Sequence, residues 1–303
     1  MRTAVVTGTT HGIGTITANR VAAAGYRLIM LVRDLRRAKT LATSITESTG
    51  NHAIEIVRCD LSSIDSVTNA VAEVRGLSSK ICLLINNAGI VTRQRTMSAD
   101  GIELTFATNH LGPFLLTTGL RSTLESAGAS RVVNVASAAY RSGSSDFEIA
   151  LNPNGPAGLR AYATSKLANI LFTLALHRRT RGTGIAANCL HPGVVATNLG
   201  GDNQLFRWGM KLGSALRVMR SPEQGAENTI QLALSDEFAE TSGGYYDQNL
   251  RRAALNATAL SEEIQDRLWH FSEKLATRSI CCLLYTSDAA DEGLGVDLGG
   301  RRI

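Results

Sequence analysis

The sequence predicts an α/β fold built on a doubly wound parallel sheet in a single domain. Short apolar runs rich in β-branched residues alternate with longer amphipathic segments, and glycine or asparagine turns follow several of the runs. Strands that are apolar on both faces are typical of a parallel sheet covered by helices on both sides. Ligands bind such sheets beyond the carboxyl ends of the strands, so the residues at those ends are the candidate site.

Seven segments have the composition of buried strands, and helical patterns separate them. The strand segments are residues 2–7, 28–32, 52–60, 81–89, 131–137, 185–193 and 242–247. The main helical segments, with apolar residues every three or four positions, are 14–24, 35–45, 64–74, 165–176 and 261–275. Right-handed crossovers between such strands give a Rossmann-type sheet of about seven strands.

Composition and charge argue against several functional classes. The 303 residues carry a formal net charge of +5 without a long block of lysine or arginine, so we expect no nucleic-acid binding. No apolar run approaches the ~18 residues of a membrane span. The N-terminus turns polar too early for a signal peptide. We therefore expect a cytoplasmic protein without an integral membrane span or an N-terminal membrane anchor.

The C-terminal residues 281–303 do not continue the pattern that precedes them. Ser261 is a candidate cap for the helix at 261–275, whereas the residues after 280 show no periodicity. The segment LLYTSDAADE resembles the translated sequencing-adapter tail that contaminates some assembled sequences. We therefore assign residues 1–280 to the folded domain and 281–303 to a non-native or disordered tail.

A glycine-rich turn joins the first predicted strand to the first helix. Residues 7–14, Thr-Gly-Thr-Thr-His-Gly-Ile-Gly, have the glycine spacing G-x-x-x-G-x-G. Such a turn lets the backbone approach a pyrophosphate at a helix N-terminus. The predicted dinucleotide contacts here are Gly8, Thr10, His11, Gly12, Ile13 and Gly14. A tight turn without a ligand is the alternative, and His11 is either a 2′-phosphate contact or a spacer.

The end of the second strand indicates which dinucleotide is bound. An NAD enzyme places an acid there to hold the ribose hydroxyls, whereas we place Val32 at the strand end with Arg33 next. A guanidinium pairs well with a 2′-phosphate, so the sequence favours NADP(H) over NAD(H). Asp34 becomes the ribose contact if the register is shifted by two residues, and otherwise it caps the following helix.

Polar and small residues also follow the third and fourth strands. Asp60 and Leu61 follow the third strand, where an acid either binds the adenine amino group or caps the next helix. Asn87, Ala88 and Gly89 follow the fourth strand, where small residues let amide groups approach a cofactor. We predict cofactor contacts from both segments.

The candidate catalytic residues are Ser137, Tyr162 and Lys166, with Asn109 beside them. Tyr162 and Lys166 are one helical turn apart and share a helix face. A free tyrosine titrates near ~10, and the lysine lowers that pKa and can bind the nicotinamide ribose. Ser137 would hold the substrate oxygen beside the tyrosine hydroxyl. Asn109 would hold a water that links Lys166 to solvent.

Seven motifs resemble the short-chain dehydrogenase/reductase family, and within it the retinol-dehydrogenase-like branch. They are TGTTHGIG, CDL, NNAG, NHLGPF, VVNVAS, YATSK and HPGVVATN, and the resemblance covers about residues 2–275. The resemblance implies a seven-stranded single domain and catalytic roles for Asn109, Ser137, Tyr162 and Lys166. It also implies cofactor contacts from further residues, which include Arg33, Tyr162, Lys166, Pro192, Gly193, Val195 and Thr197.

These observations predict an enzyme that interconverts an alcohol and an aldehyde or ketone, with NADP(H) and an apolar substrate. A C=C reductase and a non-catalytic NADP sensor are the alternatives, and the intact catalytic set favours turnover.

No ligand cluster accompanies His110 or His191, so we expect no metal. A homodimer or homotetramer through the helices after strands four and five is common in the family. Residues 199–220 are a candidate substrate lid, with a subunit contact or a membrane-surface segment as alternatives.

Overall fold

In the computed structural model, seven parallel strands form one sheet within residues 1–195 and 220–291, the part of the chain that the structure describes. The strands are β1 (Thr3–Thr7), β2 (Arg27–Val32), β3 (Ile54–Arg58), β4 (Leu83–Asn86), β5 (Ser130–Val135), β6 (Ile185–Leu190) and β7 (Tyr245–Tyr246). Their order is β3-β2-β1-β4-β5-β6-β7. The predicted doubly wound sheet is therefore confirmed.

Helices cover both faces of the sheet. They are α1 (Ile13–Ala23), α2 (Leu35–Thr49), α3 (Ile64–Leu77), α4 (Leu104–Phe106), α5 (Gly112–Gly119), α6 (Arg121–Glu125), α7 (Leu159–Arg179), α8 (Pro222–Leu234), α9 (Ala257–Leu260) and α10 (Glu262–Asp291). A π-helical turn, Ala107–Leu111, joins α4 to α5, and a 3₁₀ turn follows β5 at Ala138–Ser142. Helices α1, α2 and α8 pack on one face, and α3, α5, α7 and α10 on the other.

The central strand β1 shows why both layers are needed. Ala4 and Val6 are buried beneath α1 and α2, whereas Val5 between them is buried in the core on the opposite face. Successive side chains of a strand point to opposite faces, so an apolar strand must be covered twice. β1 pairs with β2 on one side and with β4 on the other. The strand order reverses there, and a ligand crevice is expected beyond these carboxyl ends.

Most of the observed strands are shorter than the sequence predicts, because turns start inside the apolar runs. β3 covers Ile54–Arg58 instead of 52–60, and β4 covers Leu83–Asn86 instead of 81–89. The end of β2 at Val32 agrees with the prediction. Asp34 then caps α2 by accepting a hydrogen bond from the Arg37 amide at 3.0 Å. The register that leaves Arg33 next to the strand end is therefore the observed one.

The C-terminal helix extends beyond residue 280, the predicted end of the domain. α10 starts at Glu262 and continues through Asp291. Residues 281–291 contain neither glycine nor proline, so nothing in their composition forces the helix to stop, even without an apolar face. That this segment is non-native stays a prediction. No helix in the described part of the chain is long and apolar enough to span a membrane.

An aromatic cluster holds α10 against α5 and α7. The Trp269 ring lies 5.0 Å from the ring of Phe114 and 5.9 Å from that of Phe172, centroid to centroid. The Arg179 guanidinium lies 4.4 Å from the Trp269 ring centroid. Such aromatic and cation–π contacts add to the burial of apolar area. α10 thus covers part of the helices through which an oligomer was predicted.

We expect Trp269→Ala to destabilise the protein by about 3–5 kcal/mol, because it removes a large side chain that is 8% exposed and leaves a cavity. Denaturant unfolding followed by circular dichroism measures this change. Leu260→Ala is the control, since Leu260 is 58% exposed and its truncation should change stability by less than about 0.5 kcal/mol. Equal losses in the two variants would contradict a core role for the cluster.

Candidate active site

A cleft of about 1490 Å³ lies beyond the carboxyl ends of β1 to β6. Most of the residues that the sequence singles out line it together. They are Gly8, Thr10, His11, Gly12, Ile13, Gly14, Arg33, Leu61, Asn87, Ala88, Gly89, Ser137, Tyr162, Lys166, Pro192, Gly193 and Val195. Asp60 and Asn109 are not among the lining residues, and Thr197 and the candidate lid up to residue 219 lie outside the described residues.

The glycine turn is packed tightly against the turn that follows β4. A Cβ atom on Gly14 would lie 2.0 Å from the Gly8 carbonyl oxygen, and one on Gly8 would lie 2.7 Å from Ala88 Cα. The Asn87 side-chain amide donates to the Thr7 and Gly8 carbonyls at 3.1 and 3.2 Å. The start of α1 at Ile13 has no side-chain cap. Its free amides and the bare backbone suit an anion such as a pyrophosphate.

Three arginines line the end of the cleft beyond β2 and β3. Arg33 and Arg58 directly follow Val32 and Val57, which are buried in neighbouring strands, and Arg37 lies in the first turn of α2. The nearby Asp34 carboxylate forms an ion pair with Arg37 at 3.3 Å. Its cap hydrogen bond with the Arg37 amide lowers the pKa of Asp34. This acid is thus already bound by the protein, and the cation excess favours an anionic ligand.

Arg37 and Arg58 are not among the residues that the sequence singles out. Arg58 is paired in register with Val32, so the position of this residue at the end of β3 was the signal that could have found it. Arg37 also contacts the His11 ring nitrogen Nε2, which gives His11 a partner within the protein. Asp60 accepts hydrogen bonds from the Ser62 amide at 3.0 Å and the Ser62 hydroxyl at 2.7 Å. Its side chain thus stabilises a local turn, and its adenine contact stays a prediction.

Ser137, Tyr162 and Lys166 meet at the other end of the cleft. Burial raises the pKa of Tyr162, and a hydrogen bond with Ser137 opposes this rise. The Lys166 Nζ donates to the Val135 carbonyl at 2.8 Å and lies 5.5 Å from the Tyr162 ring centroid. Burial lowers the pKa of Lys166 to about 8. The side chains therefore have the relative positions that the motif spacing predicts.

The direction of the Tyr162 pKa differs from the sequence expectation, which considered only the lysine charge. The hydration that the phenolate loses on burial outweighs the stabilisation that the nearby groups provide, so the neutral phenol is favoured. The Lys166 ammonium is instead directed to the backbone of β5. Tyr162 in this structure is thus a protonated group at neutral pH.

Asn109 lies behind the cleft wall, in the π-helical turn, and is fully buried. Its Oδ1 accepts from the Ile90 amide at 2.8 Å, and its Nδ2 donates to the Ile90 carbonyl at 2.9 Å. Nδ2 also donates to the Ser165 hydroxyl at 3.0 Å. Asn109 therefore fixes the segment after β4 against α7, and its predicted water contact stays a prediction.

The lowered pKa of Lys166 predicts that the free energy of unfolding depends on pH. The unfolded chain has a lysine pKa near ~10.4, so between pH ~8 and ~10 it binds more protons than the folded protein does, and stability rises with pH. Above ~10 the raised pKa of Tyr162 acts in the opposite direction. Between pH ~8 and ~10 we expect the stability of the unaltered protein to rise by on the order of 1–2 kcal/mol, and Lys166→Met should lack this rise. Denaturant midpoints across this pH range measure it, and Lys80→Met, on the exposed surface, should keep the rise.

The histidines beside the motifs do not form a metal site among the described residues, where no group of three or more His, Cys, Asp or Glu side chains could hold an ion. His110 is buried among Phe106, Phe114 and Phe172, and burial lowers its pKa to about 3. Its Nε2 is 2.8 Å from the Ser272 hydroxyl of α10. His110 therefore belongs to the core.

The family model of the short chain dehydrogenases matches residues 2–207. The chain is similar to retinol dehydrogenase 13 of Homo sapiens, at 35% identity over 281 residues, which cover 90% of this chain and 84% of the human protein.

Two solved structures have the same fold at comparable sequence identity. An uncharacterized protein from Mycobacterium paratuberculosis aligns with a TM-score of 0.72 and 29% identity, covering 91% of this chain and 94% of that one. A protein from Beutenbergia cavernae described as an NAD(P) dependent gluconate 5-dehydrogenase, with bound NADP, aligns with a TM-score of 0.65 and 26% identity. That alignment covers 82% of this chain and 94% of the other.

Proposed function

The chain belongs to the short-chain dehydrogenase family, in its retinol-dehydrogenase-like branch, and we propose that it interconverts an alcohol and an aldehyde or ketone with NADP(H). The observation that carries this proposal is the cleft itself. One end collects three arginines, and the other end collects Ser137, Tyr162 and Lys166. The retinol dehydrogenases among its relatives support the alcohol and carbonyl chemistry.

Each part of the cleft has a role in the proposed reaction. NADPH, when bound, supplies the hydride for the carbonyl carbon. The Ser137 hydroxyl holds the substrate oxygen, and the Tyr162 hydroxyl donates its proton to that oxygen. The Lys166 ammonium, fixed by the Val135 carbonyl, stabilises the phenolate that remains. Asn109 keeps the wall after β4 in place beside them.

The same residues fit the cofactor. Gly8 and Gly14 line the cleft and are packed so closely against the protein that neither position accommodates a Cβ atom. The start of α1 has no side-chain cap, so its first amides are suited to the pyrophosphate. Arg33 is the proposed 2′-phosphate contact, with Arg37 and Arg58 beside it. Because Asp34 is already engaged as a helix cap, it competes poorly for ribose hydroxyls, which supports NADP(H) over NAD(H).

We expect Arg33→Ala to weaken NADPH binding about 10- to 100-fold, since a hydrogen bond between charged groups contributes roughly 1.5–3 kcal/mol. NADH lacks the phosphate, so its affinity should change little. Calorimetric titration of both cofactors measures the difference. Arg36→Ala is the matched control, because Arg36 is exposed on α2 and does not line the cleft. Tighter binding of NADH than of NADPH by the unaltered protein would contradict the preference.

The activity is tested with a panel of apolar aldehydes, ketones and enones and the oxidation of NADPH followed by absorbance. We expect aldehydes or ketones to be reduced to alcohols, since in the proposed reaction Ser137 binds and Tyr162 protonates the carbonyl oxygen. Product analysis by mass spectrometry and NMR identifies the bond reduced. Exclusive reduction of the enone C=C bond would replace the proposal by the C=C reductase. NADPH binding without turnover of any compound would leave a non-catalytic sensor.

A further inference from the structure

The segment after β4 forms a wall of the cleft and is hydrogen-bonded to the elements behind it. Residues 90–93 line the cleft. Asn109 binds both the amide and the carbonyl of Ile90. The Thr92 hydroxyl lies 3.1 Å from the Thr105 hydroxyl. Ile90 and Thr92 are therefore held by contacts with α4 and with the π-helical turn that follows it.

The two arginines of this segment differ in what they contact. Arg95 donates through Nη2 to the Ile149 carbonyl at 2.6 Å and through Nη1 to the Pro156 carbonyl, so its guanidinium serves the loop before α7. Arg93 is exposed to the cleft, and no ion pair or hydrogen bond joins its guanidinium to any described residue. This segment thus presents to the cleft the Arg93 guanidinium, which has no protein partner among the described residues.

Arg93 lies at the catalytic end of the cleft. A Cβ atom on Gly158 would be 3.7 Å from the Arg93 carbonyl oxygen, and the Gly158 carbonyl accepts from the Tyr162 amide at 3.0 Å. The Arg93 backbone is therefore close to Gly158, which precedes the first residue of α7 and lies about one helical turn before Tyr162. The arginines of the proposed phosphate site follow β2 and β3, on the far side of β1.

The remaining charges at this end do not neutralise Arg93. Lys166 is the other charged side chain that lines this part of the cleft within the described residues, and its ammonium binds the Val135 carbonyl. A guanidinium offers a planar pair of donors that matches a carboxylate. One unpaired cation balances one negative charge, which favours a carboxylate over a doubly charged phosphate. Ile90 and Val91, which precede Arg93 in the same segment, add apolar side chains to the cleft lining.

We propose that the substrate is a carbonyl compound that carries a carboxylate, and that Arg93 binds this carboxylate while the carbonyl group reaches Tyr162. The proposal rests on the proposed function, because it assigns a substrate class to the same site. It replaces a wholly apolar substrate by one with an apolar body and an anionic end.

The test compares ω-oxo carboxylic acids of graded chain length with their methyl esters in NADPH-dependent reduction. For the best chain length, we expect kcat/KM to be about 10-fold higher for the acid than for the ester. Arg93→Met should bring this ratio close to one, chiefly by lowering kcat/KM for the acid, and Arg93→Lys should keep part of the ratio. Arg160→Met is the control, because Arg160 is exposed on α7 outside the cleft lining, and it should retain the full ratio.

A binding measurement separates this inference from the proposed function. Calorimetry with octanoate and octanamide, in the presence of NADP⁺, needs no turnover because neither compound carries an alcohol group. We expect octanoate to bind more tightly than octanamide in the unaltered protein but not in Arg93→Met. If the esters are reduced and the acid-to-ester ratio of kcat/KM is the same in the unaltered protein and in Arg93→Met, the carboxylate proposal is overturned while the proposed function stands. Weaker NADPH binding in Arg93→Met, with the acid-to-ester ratio retained, would assign Arg93 to the cofactor and also overturn it. Arginine-dependent octanoate binding without reduction of any carbonyl would support the carboxylate site while the proposed function fails.

Discussion

Tyr162→Phe is expected to lower kcat/KM for carbonyl reduction by about 10²–10⁴-fold, the range that a positioned general acid contributes. The substitution removes the hydroxyl that is hydrogen-bonded to Ser137 and keeps the ring. NADPH affinity should stay within about threefold, because the ring still fills the same space. Steady-state kinetics combined with calorimetric NADPH binding measure both quantities.

Tyr140→Phe makes the same chemical change at a position without a proposed role. Tyr140 is fully buried, and its hydroxyl has no hydrogen-bond partner among the described residues. Replacing it should leave activity and stability nearly unchanged, since no hydrogen bond is lost. If Tyr162→Phe retained activity as Tyr140→Phe is expected to do, Tyr162 would not be the proton donor.

The raised pKa of Tyr162 also gives the reaction a direction with pH. Because burial favours the neutral phenol, Tyr162 carries its proton at neutral pH and is ready to donate it to a carbonyl oxygen. Carbonyl reduction should therefore slow as pH rises through the pKa of the loaded enzyme, and alcohol oxidation should accelerate. The two profiles should move in opposite directions in one buffer series.

Gly14→Ala is expected to weaken NADPH binding more than about 100-fold and to destabilise the protein. The added Cβ would lie 2.0 Å from the Gly8 carbonyl oxygen and 2.6 Å from Asn87 Nδ2. Alanine in a helix ordinarily gains up to about 1 kcal/mol over glycine, but here the turn must move and Asn87 must release the Gly8 carbonyl. Calorimetric binding and thermal unfolding measure the two effects.

Gly76→Ala is the matched control for this change. Gly76 lies inside α3, and a Cβ atom built on it would meet nothing within 4 Å. It should therefore stabilise the protein by about 0.5–1 kcal/mol and leave NADPH binding unchanged. Retention of tight NADPH binding by a folded Gly14→Ala protein would show that the glycine turn is not where the cofactor lies.

The sequence determined the sheet and the list of groups at its edge. Apolar strands that alternate with amphipathic helices bury both faces of the sheet when helices cover each side of a parallel sheet. The pattern predicts this arrangement before any contact between residues is known. Because the strands are parallel, residues after β1, β2, β4 and β5 had to meet at one edge, and the cleft lined by Gly8, Arg33, Asn87 and Ser137 is the result. The spacing of Tyr162 and Lys166 needed only helix geometry.

Only the tertiary structure decided what these groups contact and how they are charged. The Asp34 carboxylate is engaged by Arg37, and Asn109 holds Ile90, since hydrogen-bond partners depend on distances that a pattern does not contain. Burial, which depends on the whole fold, raises the pKa of Tyr162 although a lysine lies one turn away. The same packing binds the guanidinium of Arg95 and leaves that of Arg93 facing the cleft, a difference between two arginines of one loop that arises from their neighbours in space.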